Sequence, residues 1–226
     1  MKIAVICAMD AEIRLLREKM EKIENVEKCG INITTGVLCG HSVALYLGGI
    51  GKSNTAATVQ YSICTFKPDI FINIGLAGNC TDCLPLGGAV IATKLVYHDF
   101  DMSIAAQDAP HTEFYTPTTE LVSLAERVCG SVGVKYICGT VATGDQFIQD
   151  ASIKDDIVAR TGACAVEMEG AAFAHIAQKN GAKYVSIKIM SDNADNDAVD
   201  DFNASLPLGA YCETSVAIIS GIAGLI

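Results

Sequence analysis

Acidic side chains recur where predicted strands end. In an open α/β sheet, ligands gather beyond the carboxyl ends of the strands, so the residues after each strand are the ones placed to do chemistry. Such ends are Ala8-Met9-Asp10-Ala11-Glu12, Gly48-Gly49-Ile50-Gly51-Lys52, Leu76-Ala77-Gly78-Asn79, Thr143-Gly144-Asp145-Gln146-Phe147-Ile148, Glu167-Met168-Glu169 and Ser191-Asp192-Asn193-Ala194-Asp195. Basic residues are nearly absent there, with Lys52 and Lys188 the exceptions. Carboxylates of this kind suit general acid–base work, and Glu12, Glu169 and Asp192 are candidates for one shared site. Spacing alone keeps a plainer reading open, because a single acid after a strand is usually a helix cap or a solvated charge. Asp10 reads as such a cap, and Asp195, Asp197, Asp200 and Asp201 read as solvated. Glu167 and Glu169 are two apart and point to opposite sides of an extended segment, so at most one of them reaches a common pocket.

Other motifs carry less. GGIGKS resembles the end of a P-loop, but the pattern needs Gly where Tyr46 stands; a turn where backbone approaches a ligand or another strand fits better. The acidic stretch SDNADNDAVDD lacks the Gly and the closing Glu of a calcium loop. No G-x-S-x-G occurs, and His98 and His175 have no evident nucleophile nearby. His175 reads as a packed or surface residue of a helix. Cys80 and Cys83 form the one C-x-x-C. A zinc site needs two further ligands, and Pro85 with Gly87-Gly88 spoils the helix that a redox pair opens. No metal site is expected.

Strands and helices must position these groups, and the two alternate along the chain. Ile3–Cys7 is a continuous apolar run, as in a strand buried on both faces. The helix predicted after it carries Ile13, Leu16 and Met20 on one stripe. Ile31–Val37 and Val43–Leu47 alternate about Cys39-Gly40, a hairpin signal. A helix over Ser53–Thr65 follows GGIGK. IFINIG predicts a third buried strand that ends in a small-residue loop, Gly75–Asn79. Further strands are expected at Ala89–Leu95, Tyr136–Val141, Ala163–Val166 and Tyr184–Ile189, with helices at Thr119–Cys129, Lys154–Arg160 and Glu169–Lys179. Asp99–Pro117 reads as a long loop, and an acidic loop, Asp192–Asp201, leads to a final helix. With no repeat and no linker, the pattern predicts one α/β domain over residues 1–226, a mixed, mostly parallel, twisted central sheet flanked by helices in three layers.

Composition agrees. At 226 residues the chain fits one core, since single cores reach roughly 250 residues before chains divide. An apolar content of 50% excludes disorder. Twenty-six acids against sixteen bases give a charge of −10, which excludes nucleic acid as a partner because phosphate binding needs clustered Lys and Arg. The apolar N-terminus is short for a signal peptide. The tail Val216–Ile226 falls well below the ~20 residues of a bilayer span, so a buried terminal helix, no membrane association and a cytoplasmic location are expected. Cys7, Cys64, Cys138 and Cys164 sit in apolar runs and are expected to pack as small hydrophobes.

Taken together, ICAMDAEI, GGIGKSNTAATV, TGDQFI, AVEMEGAAFAHIA and SIKIMSDNAD, in that order, closely resemble the 5′-methylthioadenosine/S-adenosylhomocysteine nucleosidases of the nucleoside phosphorylase and nucleosidase superfamily. The match runs from residue 1 to about residue 203. The resemblance implies a nucleoside phosphorylase-like fold, a homodimer, and hydrolysis of the N-glycosidic bond of adenine nucleosides with no cofactor. It assigns Glu12 as the base that activates water and Asp192, beside Ser191, as the acid that protonates adenine. Glu169 and Met168 would grip the ribose, Phe147 and Ile148 would hold the base, and Met9 and Ile50 would line the sugar end. Breaking the bond leaves positive charge on ribose and negative charge on adenine, which explains the need for a proton donor and for a carboxylate facing the sugar.

Three departures from the family pattern stand out. Leu76 replaces a Ser, and Lys188 an Arg, at the site of the attacking water, and IAAQDAP (residues 104–110) lacks the aromatics that reach across the dimer over the 5′ group. The rivals are a phosphate-dependent phosphorylase of the same fold and a non-catalytic adenine-nucleoside-binding protein. The lack of the Ser and the Arg weakens the first, because phosphate needs charged and hydroxyl donors.

Overall fold

Lys2–Cys7 (β1) is buried from Ile3 onward on both of its faces. It lies between His41–Leu47 (β4) and Ile70–Asn79 (β5), parallel to both, as a strand without polar alternation must. The computed structural model describes residues 1–205 and 210–226. Ile31–Leu38 (β3) and β4 form the predicted hairpin. Cys39 and Gly40 turn it with φ of 50° and 80°, the positive pair that a tight two-residue hairpin turn requires.

Two elements near the N-terminus differ from expectation. The helix stripe Ile13, Leu16, Met20 is cut to Arg14–Glu18 (α1), after one 3₁₀ turn over Asp10–Glu12. The chain then enters Glu21–Lys28 (β2), a strand absent from the sequence reading. All eight of its residues are exposed, so it has no apolar face to announce it. Its Lys and Glu side chains are those of an edge strand guarded against further pairing.

The remaining strands are Ala89–Tyr97 (β6), Tyr136–Thr143 (β7), Ala163–Glu167 (β8) and Tyr184–Asp192 (β9). The sheet order is β2-β3-β4-β1-β5-β8-β7-β6-β9, and β9 also pairs with β5. Strands β5, β8, β7, β6 and β9 thereby close on themselves, with the other four as an extension. Pairs β5–β9, β6–β7 and β7–β8 are parallel, while β5–β8 and β6–β9 are antiparallel. The segment Gly75–Asn79, expected as a loop, continues β5, and all ten residues of the strand are buried.

Helices cover both faces. Lys52–Thr65 (α2) and Gly170–Lys179 (α6) pack together on one, where Ala4 and Ile6 of β1 meet Val59 and Phe173. Thr119–Val132 (α4) and Ala210–Leu225 (α8) cover the other, where Ile3 and Val5 meet Val128 and Ile219. The segment 99–117 is not wholly irregular: it holds Met102–Ala105 (α3) and a bridge from Tyr115 to Leu95. Ala151–Thr161 (α5) is capped by Asp150. Ala198–Ser205 (α7) interrupts the expected acidic loop. Val216, Ile219 and Ile222 of the apolar tail are buried within α8. Among the described residues, no helix is long and apolar enough to cross a membrane. Of the cysteines expected to pack inside, Cys7 is buried, but Cys64 and Cys138 face solvent from the outer sides of α2 and β7.

Candidate active site

The 3₁₀ turn after β1 folds Glu12 back over its own strand end. Its Oε2 accepts the N–H groups of Ala8 and Met9, both at 2.9 Å, and its Oε1 accepts that of Leu76 at 3.1 Å. Burial pushes this carboxyl above its ordinary value, and the three N–H groups with the Lys188 charge oppose that push. Carboxylates fixed by backbone donors stay ready to take a proton without rearrangement.

Asp192 ends β9, inside the strand. Its Oδ2 accepts the Ser191 hydroxyl at 2.8 Å and its Oδ1 the Ala194 N–H at 2.9 Å. Burial raises its pKa despite both bonds, which favours the protonated form. Glu169 lies just before α6. Its Oε1 accepts the Gly51 N–H at 2.7 Å, a donor aimed by the φ of 98° at Gly51. Burial first, and then the neighbouring Glu167 charge, move the Glu169 carboxyl up to about 7.

The three acids open onto one cavity of about 310 Å³. Met9, Ile50 and Met168 line it together with Glu12 and Glu169, and Phe147, Ile148 and Ser191 line it together with Asp192. Leu76 also reaches it, but its hydrogen bond to Glu12 is made by its backbone. Lys188 does not line the cavity. It lies behind it, 1% exposed, with Nζ 2.7 Å from Glu167 Oε2. Burial alone would lower the Lys188 pKa, but the Glu167, Glu169 and Glu12 charges overcome this and raise it.

Small residues on β5 make room for the acids. A Cβ on Gly75 would stand 2.9 Å from Glu12 Oε1 and 3.5 Å from Lys188 Nζ, and one on Gly78 would stand 3.0 Å from Asp192 Oδ1. These glycines mark close approach within a strand, and their lack of side chains looks like a loop in the sequence.

The segment Gly170, Ala171, Glu169 and Glu167 corrects a second expectation. Glu167 and Glu169 both reach the cavity, because the extended backbone stops at Glu167 and Glu169 turns with φ −133° and ψ −37°. Glu167 Oε2 accepts the N–H groups of Glu169 at 3.0 Å and Gly170 at 2.7 Å. Its Oε1 accepts the Thr143 hydroxyl, whose oxygen accepts the Ala171 N–H at 2.8 Å. Glu167 therefore caps α6 and holds the turn that presents Glu169. Gln146 and Phe202 also line the cavity; Phe202 follows directly on the acidic stretch, within α7, where no pattern marks it.

The other motifs stay outside. Cys80 and Cys83 are free thiols away from the cavity, and burial pushes the Cys80 thiol up to about 12. Among the described residues no cluster of His, Cys, Asp and Glu is placed to hold a metal. His175 stacks on Tyr115 at 4.9 Å between ring centroids.

Residues 2–211 match the family model of the Phosphorylase superfamily. A 5′-methylthioadenosine/S-adenosylhomocysteine nucleosidase from Shewanella halifaxensis is 36% identical over 209 residues, covering 90% of this chain and 91% of that protein. One from Lysinibacillus sphaericus is 34% identical over the full length of both chains. The chain belongs to the 5′-methylthioadenosine/S-adenosylhomocysteine nucleosidase family. Solved structures of the family superpose closely. The Neisseria meningitidis nucleosidase in complex with methylthio-immucillin-A has a TM-score of 0.93 at 30% identity, over 100% of this chain and 99% of that one. The Streptococcus pyogenes nucleosidase with 5-methylthiotubericidin has a TM-score of 0.91 at 30% identity, over 99% and 96%. Leu76 and Lys188 stand on the paired strands β5 and β9, where Gly75 is in register with Lys188 and Leu76 with Ile189.

Proposed function

We propose that this chain hydrolyses the N-glycosidic bond of 5′-methylthioadenosine and S-adenosylhomocysteine, releasing adenine and a 5′-thio-substituted ribose, as one domain spanning residues 1–226. The observation that carries the reading is the pair of buried carboxyls, Glu12 and Asp192, fixed in one cavity by different donors. Asp192, its pKa raised by burial, holds the proton that adenine needs to leave. Glu12 takes a proton from water and faces the positive charge that develops on ribose. Glu169 accepts from the ribose hydroxyls beside Met168. Phe147 and Ile148 hold the base, and Met9 and Ile50 line the sugar end. Leu76 bounds the water side, and Lys188 sets its charge from behind.

Water rather than phosphate is the nucleophile. Among the described residues no Arg lines the cavity, and the Lys188 ammonium is already engaged by Glu167. The chain works as a cytoplasmic homodimer, without cofactor, nucleic acid or membrane. Phe100, Ile104 and Phe114, at 46%, 54% and 45% exposed, are apolar side chains of the segment 99–117 that a second copy would cover. Adenine release from the two nucleosides, followed with and without phosphate, tests the chemistry; strict dependence on phosphate overturns it. Light scattering tests the dimer against the 23.8 kDa of one chain.

A further inference from the structure

Lys52 does not touch the cavity, yet it joins the loops that frame it. Its ammonium stands 2.7 and 2.8 Å from the two oxygens of Asp99 and 3.3 Å from Asp145 Oδ2. Backbone bonds cross the same junction. The Lys52 N–H donates to Asp145 Oδ1 at 3.1 Å, and the Asp145 N–H donates to Asp99 Oδ2 at 2.8 Å. The three residues come from separate connections: Lys52 opens α2 after the glycine loop, Asp99 follows β6 and Asp145 follows β7.

An isolated surface ion pair contributes little, but here three side chains and two backbone N–H groups share one network, shielded at Lys52 and Asp99 and open at Asp145, which is 54% exposed. The Lys52 and Asp99 side chains are 21% and 18% exposed, and the ammonium also lies 5.5 Å from the centre of the Tyr97 ring. Next to Lys52, Gly51 donates to Glu169 and Ile50 lines the cavity. Next to Asp145, Gln146, Phe147 and Ile148 line the cavity as well. We infer that Lys52 is a positioning residue, cross-linking the glycine loop to the segment Gln146–Ile148 and so setting the distance between the ribose grip and the wall that holds the base. The inference rests on the nucleosidase reading and extends it to a residue that touches no substrate.

The test uses the full chain and two variants, Lys52→Met, which keeps the stem without the charge, and Lys52→Arg, which restores the charge. Steady-state kinetics with 5′-methylthioadenosine are paired with calorimetric binding of adenine. Losing charge-assisted bonds should raise KM and the adenine Kd of Lys52→Met about tenfold. The kcat should stay within about threefold, the signature of lost uniform binding. Lys52→Arg should recover most of the KM. Unchanged KM and adenine Kd in Lys52→Met would overturn the inference, as would equal impairment of the Arg and Met variants. If the unsubstituted chain binds adenine but releases none from 5′-methylthioadenosine, the hydrolase reading alone fails, and the adenine Kd of Lys52→Met still decides this one.

Discussion

Lys188 Nζ and Glu167 Oε2 stand 2.7 Å apart with both side chains 1% exposed, a buried ion pair that joins a residue of the cavity wall to a lysine behind it. Removing one partner of such a pair leaves an uncompensated charge and costs about 3–5 kcal/mol. Lys188→Met should therefore lose about that much in urea denaturation. Lys188→Met combined with Glu167→Gln should lose clearly less than the sum of the single changes. Additive losses would show that the two side chains are not coupled.

Asp192→Asn and Glu12→Gln keep the shape of each side chain and remove its proton chemistry. Each should slow adenine release by about 10²–10⁴-fold, the usual contribution of a positioned acid or base. Adenine binding, measured by calorimetry, should persist in Glu12→Gln, since the role proposed for Glu12 lies with the sugar and the water. Retained turnover in both variants would exclude the assigned roles and favour another pair of acids.

Glu169 links the site to stability. Its folded-state pKa of about 7 is raised from the ordinary carboxylate value of 4.5, so the folded protein binds the proton more tightly than the unfolded chain. The stability gained is complete below the unfolded value and is lost as pH rises towards 7. Glu169→Gln should thus be more stable than the unsubstituted chain at pH 8 and not at pH 4. Thermal denaturation across that pH range reads the sign directly.

Gly75→Ala places a methyl where Glu12 Oε1 would be 2.9 Å away. The carboxylate must shift, and a displacement of about 1 Å can cost roughly 10²-fold in rate. The strand itself has to bear only one added methyl, an overpacking cost of about 1–3 kcal/mol. Expected is a folded protein with a large loss of kcat. A variant with unchanged kcat would mean that Glu12 has room to relax.

The outcome for each element follows the range over which its signal acts. Ile3–Cys7, IFINIG and the hairpin about Cys39-Gly40 were legible because burial on two faces and a tight turn are written in adjacent residues. Strand β2 was not, because an exposed edge strand carries no apolar alternation and its pairing with β3 is its only definition. α1 is shorter than its stripe suggests, since three apolar residues suit one helical turn as well as two. The motifs carrying Glu12, Glu169 and Asp192 were legible by resemblance to a family with strict local patterns. Phe202 had no such local mark.

The sequence by itself determined the alternation of the buried strands with the helices that cover them, the fold class, the family, and the motifs that carry the three cavity acids. Only the tertiary structure decided that Gly75–Asn79 is a strand. A missing side chain reads the same locally, whether it permits a turn or lets Glu12 and Asp192 lie against the backbone. Only the tertiary structure also brought Glu167 to Lys188, twenty-one positions away on another strand, and so turned a residue set aside by its two-residue spacing into the cap of α6. Contacts between distant strands arise when the sheet closes, and no local pattern encodes them.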